Sequence, residues 1–377
     1  MKLEDVCIGF KVPVRKHVED KLVVLKAEIL GKRTGKHSML EFYVHYVDLN
    51  RRLDEWIDGT LIDLSDPALV DVPKKKTEKS KANKQRKHSE DGKEHEVVDP
   101  VLEKPPHDEE FKIKNIKKIM MRNHLVDAWY FSPYPKAVAE SDIVYICEFC
   151  LYYLATMESL VEHAKKCNLR HPPGREIYRD GTLSFFECDG YIQKNYCRNL
   201  SLLSKLFLDH KSLYYDIDVF MFYVLCRLEE NGYQIVGYFS KEKISEQGYN
   251  LACILTLPFE QRKGYGRILM DFSYLLSKRE KIIAGPEKPL SDLGLLSYRA
   301  YWVEAIVEYF SRHEEASISQ ISKETYIAED DIIGTLCAYK MLRIHGQDFV
   351  FTYDEAQLQK ALKTRSKSVD GSLLKLS

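Results

Sequence analysis

Long apolar runs are missing from this 377-residue chain: the longest, Val219 to Leu225 and Leu251 to Leu257, fall well short of the roughly 18 residues a membrane span needs. Excess charge of one sign is missing too, since 56 Lys and Arg face 57 Asp and Glu; a uniformly basic nucleic-acid coat is excluded, and any polyanion contact must be local. The first five residues are already acidic at Glu4 and Asp5 and lead into no sustained apolar stretch, so no secretory signal is expected. Nine cysteines in such a chain read as thiols or metal ligands rather than as a disulfide framework, and a soluble protein of a reducing compartment is expected. What is present is core-forming material, 45% hydrophobic and 11% aromatic, in a length that favours two or three domains.

Residues 5 to 65 carry strand-like stretches at Leu22 to Ile29 and Leu40 to Tyr46 and a helix-like end at Arg51 to Ile57, the outline of a small barrel. Between Lys74 and Lys87 stand eight Lys or Arg with only Glu78 to oppose them and no large apolar residue, so residues 67 to 110 read as a disordered basic linker. Such a stretch is either a solvated spacer or a nuclear-localisation or nucleic-acid contact, because clustered positive charge suits both. From Phe111 apolar density returns. Val219 to Leu228 and Tyr233 to Ser240 read as strands joined at Asn231-Gly232, a strong hairpin signal; a strand at Leu251 to Leu257 and a helix at Arg267 to Lys278 follow. Helices over 298–312, 317–326 and 329–342 and a short hairpin then outline a winged-helix-like end. The last helix has a core face and almost no basic residue, which argues against a DNA reader.

Three constellations carry chemistry. Cys147-x2-Cys150-x12-His163-x3-Cys167 places two ligands on a knuckle and two at i and i+4 on a helix, the closed four-ligand set of a structural zinc site. Gln261-Arg262-Lys263-Gly264-Tyr265-Gly266 lies between a strand and a helix. Its glycines allow close backbone approach, and the free amides of a helix start favour phosphate oxygens. A Walker loop or a Rossmann turn would need residues that are missing here. The alternatives are a tight turn with no ligand and a diphosphate cradle, and the form of the loop after such a strand points to coenzyme A. Gly285-Pro286-Glu287-Lys288-Pro289 holds a carboxylate between prolines in apolar surroundings; alone it would be a surface turn, yet burial would raise its pKa toward the range of a general base.

Several longer stretches bear a family likeness. Trp129-Tyr130-Phe131-Ser132-Pro133-Tyr134-Pro135, the C2HC finger, Leu206 to Lys211, Tyr214-Tyr215-Asp216, Asn250 to Pro258 and Glu287 to Gly294 resemble the MYST histone acetyltransferases over 111 to about 353. Residues 5 to 65, with Tyr43 to Asp48 and Leu53 to Trp56, resemble the chromo-barrel of the nucleosome-acetylating branch of that family. The resemblance implies an α+β chain: a chromo-barrel over 5–66, the linker over 67–110, and an acetyltransferase domain over 111–377. The last would hold the finger at 144–169 in a GNAT-like core. It implies acetyl transfer from acetyl-CoA to histone-tail lysines, a structural Zn2+, a nuclear location, and nucleosomes and a multisubunit complex with an enhancer-of-polycomb-like scaffold as partners. By position it makes Glu287 the general base, Cys253 the active-site cysteine and Lys211 an autoacetylated lysine. Ile254, Leu255, Thr256, Gln261, Arg262, Lys263, Gly264, Tyr265, Gly266, Arg267 and Ser291 become acetyl-CoA contacts. Two residues depart from the pattern. Glu260 replaces an aromatic and sets a negative charge near the diphosphate loop, where it should weaken cofactor binding, and Ala300 replaces a serine.

Residues and chemistry agree at this point. A lysine ammonium cannot attack a thioester, and reaching the neutral amine at pH 7 costs roughly 4 to 5 kcal/mol, so a base is expected. A chromatin-binding adaptor without catalysis would need neither the glycine turn nor Glu287, and a DNA-binding finger protein would need tandem fingers. Tyr43, Tyr46 and Trp56 either line a methyl-lysine cage or fill the barrel core, and RNA is the other candidate ligand of the barrel.

Overall fold

The computed structural model describes residues 1–18, 21–35, 39–73, 113–209, 211, 216–345, 348–352, 354–356, 359, 363 and 368–375. The basic stretch from Lys74 to Lys87 and the motif residues His210, Tyr214 and Tyr215 lie outside them. Backbone contacts divide the chain into two units, one of residues 1–114 with 129–131, the other of 115–128 with 132–377.

The first unit is a four-stranded antiparallel sheet in chain order: β1 (Lys11–Val18), β2 (Lys21–Thr34), β3 (Leu40–Tyr46) and β4 (Glu55–Asp58). After β4 the chain returns to β1, where Val14 bridges Ile62 and the Asp63 amide donates to the Pro13 carbonyl at 2.9 Å. Val12, Val14, Ile29, Phe42, Val44 and Ile57 fill the interior. The helix-like reading of Arg51 to Ile57 is corrected: Arg51–Leu53 form one 3-10 turn, capped by the Asn50 side chain, and Trp56 and Ile57 lie in β4 opposite Tyr43 and Phe42. The two adjacent apolar residues imitate a helical face, but they are consecutive members of a strand edge.

In the second unit β5 (Lys118–Met121), β6 (His124–Asp127), α1 (Lys136–Ala139), β7 (Ile143–Ile146), β8 (Tyr153–Leu154) and α2 (Met157–Lys166) form the finger region, with strand order β6-β5-β7-β8. Then come β9 (Arg175–Asp180), β10 (Leu183–Asp189), α3 (Lys194–Lys205), β11 (Phe220–Glu229), β12 (Gly232–Glu242) and β13 (Cys253–Thr256). The central sheet runs β13-β12-β11-β10-β9, antiparallel throughout. Its β9, β10 and α3 were not read from the sequence. On this sheet packs α4 (Tyr265–Glu280), whose Leu269, Phe272 and Leu276 are buried against Phe185, Val236 and Phe239; the Phe185 and Phe272 rings stack at 3.7 Å.

The C-terminal helices are α5 (Asp292–Phe310), α6 (Ile318–Thr325) and α7 (Glu329–Ala338), with the hairpin β14 (Leu342–His345) and β15 (Asp348–Phe351). They surround Tyr298, Trp302, Ile306, Ile332 and Leu336. Two boundaries differ from the sequence reading. α5 starts six residues earlier than Tyr298, at the Ser291 cap, because its first turns leave Leu293 and Leu296 exposed and so show no apolar periodicity. α7 stops at Ala338: Lys340 takes a left-handed φ of 55°, which turns Met341 into the core and releases Leu342 to the hairpin. No helix among the described residues is long and apolar enough to cross a membrane.

Candidate active site and metal centre

Cys147, Cys150, His163 and Cys167 bring one ligand atom each to within 4.8 Å of the others. The knuckle after β7 supplies two thiols. α2, capped by Thr156 accepting from the Ser159 amide at 3.2 Å, supplies His163 and leads directly into Cys167. The Cys147 and Cys167 sulfurs are 3.9 Å apart and Cys150 Sγ is 3.2 Å from His163 Nε2. A tetrahedral zinc with sulfurs at about 2.3 Å needs sulfur–sulfur edges of about 3.8 Å, so the donor set and spacing fit that ion. The Cys150 thiol, donating to the Cys147 sulfur, lowers the Cys147 pKa against the upward pull of burial. With four protein ligands, no position is left for a substrate: the site is structural.

The catalytic candidates converge elsewhere, on a cavity of about 400 Å³ lined by Lys211, Ser240, Cys253, Ile254, Glu287, Ser291 and Tyr298, among others. Its floor is the edge of the central sheet. β12 pairs with β13 from Gly237 opposite Thr256 to Ser240 opposite Cys253. Before Cys253 the Ala252 amide still donates to the Ser240 carbonyl of β12 at 2.7 Å, and the chain also pairs with a second segment: Leu251 bridges Pro286, the Glu287 amide donates to the Leu251 carbonyl at 2.8 Å, and the Asn250 amide donates to the Gly285 carbonyl at 3.0 Å. The segment carrying Glu287 is thus tied by a single parallel bridge to the stretch that leads into Cys253. Lys288, next along, reaches Asp331 of α7 at 2.8 Å.

Burial, and then the nearby Glu242, raise the Glu287 pKa above the ordinary carboxylate value, with Lys211 acting in the opposite sense. Lys211 is 8% exposed and its Nζ lies 3.7 Å from Cys253 Sγ. Burial works against its charge, but Tyr238 and Cys253 facing it outweigh that and leave its pKa raised. The site therefore holds a carboxylate of raised affinity for protons, a charged lysine and a thiol around one space.

The glycine loop lies at the other end of β13. Gly264 caps α4 with φ at +90°, a conformation that side-chain-bearing residues rarely adopt, and Arg262 is left-handed at +61°. A Cβ on Gly264 would meet nothing within 4 Å, so backbone conformation alone demands glycine there. Gln261 Nε2 donates to the Thr256 carbonyl at 3.2 Å, closing the loop back on the strand. Leu255 points inward, 4% exposed, while Ile254 and Thr256 are half-buried. Ser291 accepts from the Gly294 amide at 3.1 Å as the cap of α5. The Arg267 guanidinium turns toward α5, donating through Nε to Glu304 at 3.0 Å and lying over the Tyr301 ring. The structure brings Glu287, Cys253, Lys211, Ile254 and Ser291 around the cavity; Gln261 to Arg267 stand apart from it at the start of α4.

Glu260 differs from the expectation that its charge weakens the diphosphate site. It is 2% exposed and paired with Arg122, Arg227 and Lys263, so its charge is compensated. Residues that sequence reasoning missed are Tyr238, Ser240, Tyr298 and Asp331; the first three sit in ordinary core-like patterns, and Asp331 reads as one more acidic residue of a helix's first turn. In the barrel, Tyr43 and Tyr46 are buried at 2% and 1%, while the Trp56 ring is covered by Arg33 at 4.0 Å. The rings belong to the core or are already capped.

A β-sheet with a glycine turn entering a helix, a carboxylate of raised proton affinity lining the same cavity as a thiol, and a closed metal knuckle fit an acyltransferase that takes its acyl group from a coenzyme A thioester. The MOZ/SAS family matches residues 171–375, the MYST family zinc finger domain 113–167, and the RNA binding activity-knot of a chromodomain 6–64. The chain is 42% identical over 424 residues to the histone acetyltransferase ESA1 of Yarrowia lipolytica, covering 99% of this chain and 89% of that protein. It is 42% identical over 396 residues to ESA1 of Saccharomyces cerevisiae, covering 94% and 88%, and 45% identical over 352 residues to the histone acetyltransferase of the MYST family 2 of Arabidopsis thaliana, covering 90% and 78%. The chain belongs to the MOZ/SAS, or MYST, family. It is a lysine acetyltransferase that uses acetyl-CoA and carries a structural zinc finger.

Proposed function

We propose that this enzyme acetylates lysines of nucleosomal histone tails by direct attack within a ternary complex, with Glu287 as general base. The observation carrying this reading is the convergence of Glu287, Cys253 and Lys211 on one cavity at the end of the strand that leads into the glycine loop. The substrate lysine arrives as an ammonium. Glu287 takes one proton from it and releases that proton to solvent; the freed amine attacks the thioester carbonyl, the carbon–nitrogen bond forms as the carbon–sulfur bond breaks, and the nitrogen's second surplus proton passes through Glu287 to the departing thiolate. Aminolysis of a thioester needs a base and no nucleophilic thiol, so Cys253 shapes the wall of the cavity. The amides around Gly264 and Gly266 at the start of α4 receive the diphosphate of coenzyme A, and Ile254 to Thr256 flank its acyl arm. Lys211, beside the site, is the position of autoacetylation.

The same reading divides the chain into a chromo-barrel over 5–66, a basic linker over 67–110 and the acetyltransferase domain over 111–377. Barrel and linker add nucleosome affinity. With Tyr43 and Tyr46 buried, nucleic acid is the better supported ligand of the barrel over methyl-lysine. The protein acts in the nucleus, within a complex whose scaffold is enhancer-of-polycomb-like. Incubating purified nucleosomes with acetyl-CoA and the wild-type or Glu287→Gln enzyme, and mapping the products by mass spectrometry, tests it: wild type acetylates histone tails and the variant scarcely does. Labelling confined to non-histone proteins would overturn it.

A further inference from the structure

Glu260 closes the 3-10 turn Pro258–Glu260 between β13 and the glycine loop. Its carboxylate has four hydrogen-bonded contacts. Oε1 accepts from Arg122 Nη1 at 3.0 Å and from Arg227 Nη2 at 3.3 Å; Oε2 accepts from Arg227 Nη1 at 3.2 Å and from Lys263 Nζ at 2.9 Å. Each cation comes from a different element. Arg122 stands in the turn between β5 and β6 of the finger sheet and also donates to the Ile235 carbonyl of β12. Arg227 belongs to β11 and donates onward to the Tyr265 hydroxyl at 2.9 Å. Lys263 is inside the loop. Beside them Phe259 stacks on His124 at 4.4 Å. One carboxylate thereby joins the finger sheet, the central sheet and both flanks of Gly264.

Burial alone would push the Glu260 carboxyl upward, yet Lys263 and Arg227 outweigh it and hold the pKa below the ordinary value; the group is a carboxylate in the folded protein. Lys263 consequently spends its charge on Glu260. Besides the exposed Arg262, the loop presents its backbone N–H groups to an anion, and their aim depends on how Lys263 and Tyr265 are held.

We propose that Glu260 is a positioning residue for coenzyme A: by holding Lys263 directly and Tyr265 through Arg227, it fixes the amides on either side of Gly264. This rests on the assignment of residues 261–267 to the coenzyme A diphosphate, and the experiment separates the two. Calorimetric titration of the full chain with coenzyme A, together with steady-state kinetics, compares wild type with Glu260→Gln, Lys263→Gln, the double variant and Gly264→Val. Glu260→Gln should raise the Kd for coenzyme A and the KM for acetyl-CoA about tenfold with kcat within about twofold, as expected when a supporting group lets a binding loop drift. Lys263→Gln should raise Kd in the same direction. The double variant should be no worse than Glu260→Gln alone, because both substitutions break one interaction.

Unchanged Kd with a lowered melting temperature in Glu260→Gln would reduce Glu260 to a brace for the fold. Tighter binding in Glu260→Gln, or additive losses, would mean that Lys263 grips the phosphates itself; either result overturns the proposal. Lys263 is half-exposed, so its variant folds even where Glu260→Gln does not, and an unchanged Kd in Lys263→Gln then decides against it. Gly264→Val, strained at a φ of +90°, controls for the loop: if Kd is unchanged there, the loop is not the diphosphate site and the proposal falls with that assignment.

Discussion

Glu287 is held by backbone bonds to the strand before Cys253, and its proton affinity is raised by burial and by Glu242. A base with a raised pKa stays protonated to higher pH, so activity must fall, on acidification, earlier than for an ordinary carboxylate. Glu287→Gln should lower kcat by about 10² at neutral pH, lose the acidic limb of the pH–rate profile, and recover in part as the substrate amine deprotonates on its own. Glu242→Gln should move the limb the other way, to lower pH, because removing a neighbouring negative charge makes Glu287 easier to ionise. A limb at the same pH in that variant would leave burial as the sole cause. Cys253→Ala should cost less than Glu287→Gln; a trapped acetyl-Cys253 with near-normal turnover in Glu287→Gln would overturn the order. Lys211, buried 3.7 Å from that thiol, should gain an acetyl group on incubation with acetyl-CoA, read by peptide mass analysis. An unmodified Lys211 would refute that assignment. The proline-bounded carboxylate and the glycine pair were legible because special backbone needs leave a mark in the sequence. Tyr238 and Asp331 were not, since a buried phenol or carboxylate acquires its meaning only from what folds against it.

At the scale of elements, the finger was readable as a knuckle followed by a helix: four ligands must meet within one coordination radius, and that requirement fixes the spacing of knuckle and helix together. The bridge of Pro286 to Leu251 was hidden, because the two are 35 residues apart and the later segment has the pattern of a loop. The early turns of α5 were hidden for the opposite reason, being helical but exposed at Leu293 and Leu296. Removing zinc with a chelator, or replacing Cys147 by Ser, should open residues 145–170 to proteolysis and lower the melting temperature, because an incomplete tetrahedral site leaves thiols crowded and repelling. A metal-free protein that melts like the native one would show that the sheet of β5 to β8 stands without the ion. The core of the central sheet offers a calibration of the same method: Phe272→Ala, removing a ring stacked on Phe185, should cost about 3 to 5 kcal/mol in denaturant titration.

For the molecule as a whole, binding and chemistry lie on different stretches of chain. Every group proposed for acetyl transfer falls within 211–291, in the second unit, while the eight Lys and Arg between Lys74 and Lys87 stand outside it in sequence, as does the barrel. A net charge of -1 leaves the chain no general attraction for DNA, so the proposed reading puts phosphate contact at this local excess. Each phosphate neutralised releases condensed counterions, and binding that depends on several such contacts weakens steeply as salt rises. Deleting residues 1–108 should therefore leave kcat/KM on a free histone peptide nearly intact while lowering it on nucleosomes, and the nucleosome deficit should shrink as salt is raised and the wild type loses the same advantage. Replacing only the eight basic residues between Lys74 and Lys87 by Gln should reproduce most of the salt-dependent part and leave the remainder to the barrel. Steady-state assays on both substrates across a salt series measure this directly. An equal loss on peptide and nucleosome would place the first 108 residues inside the catalytic fold, and a nucleosome deficit independent of salt would assign their contribution to something other than charge.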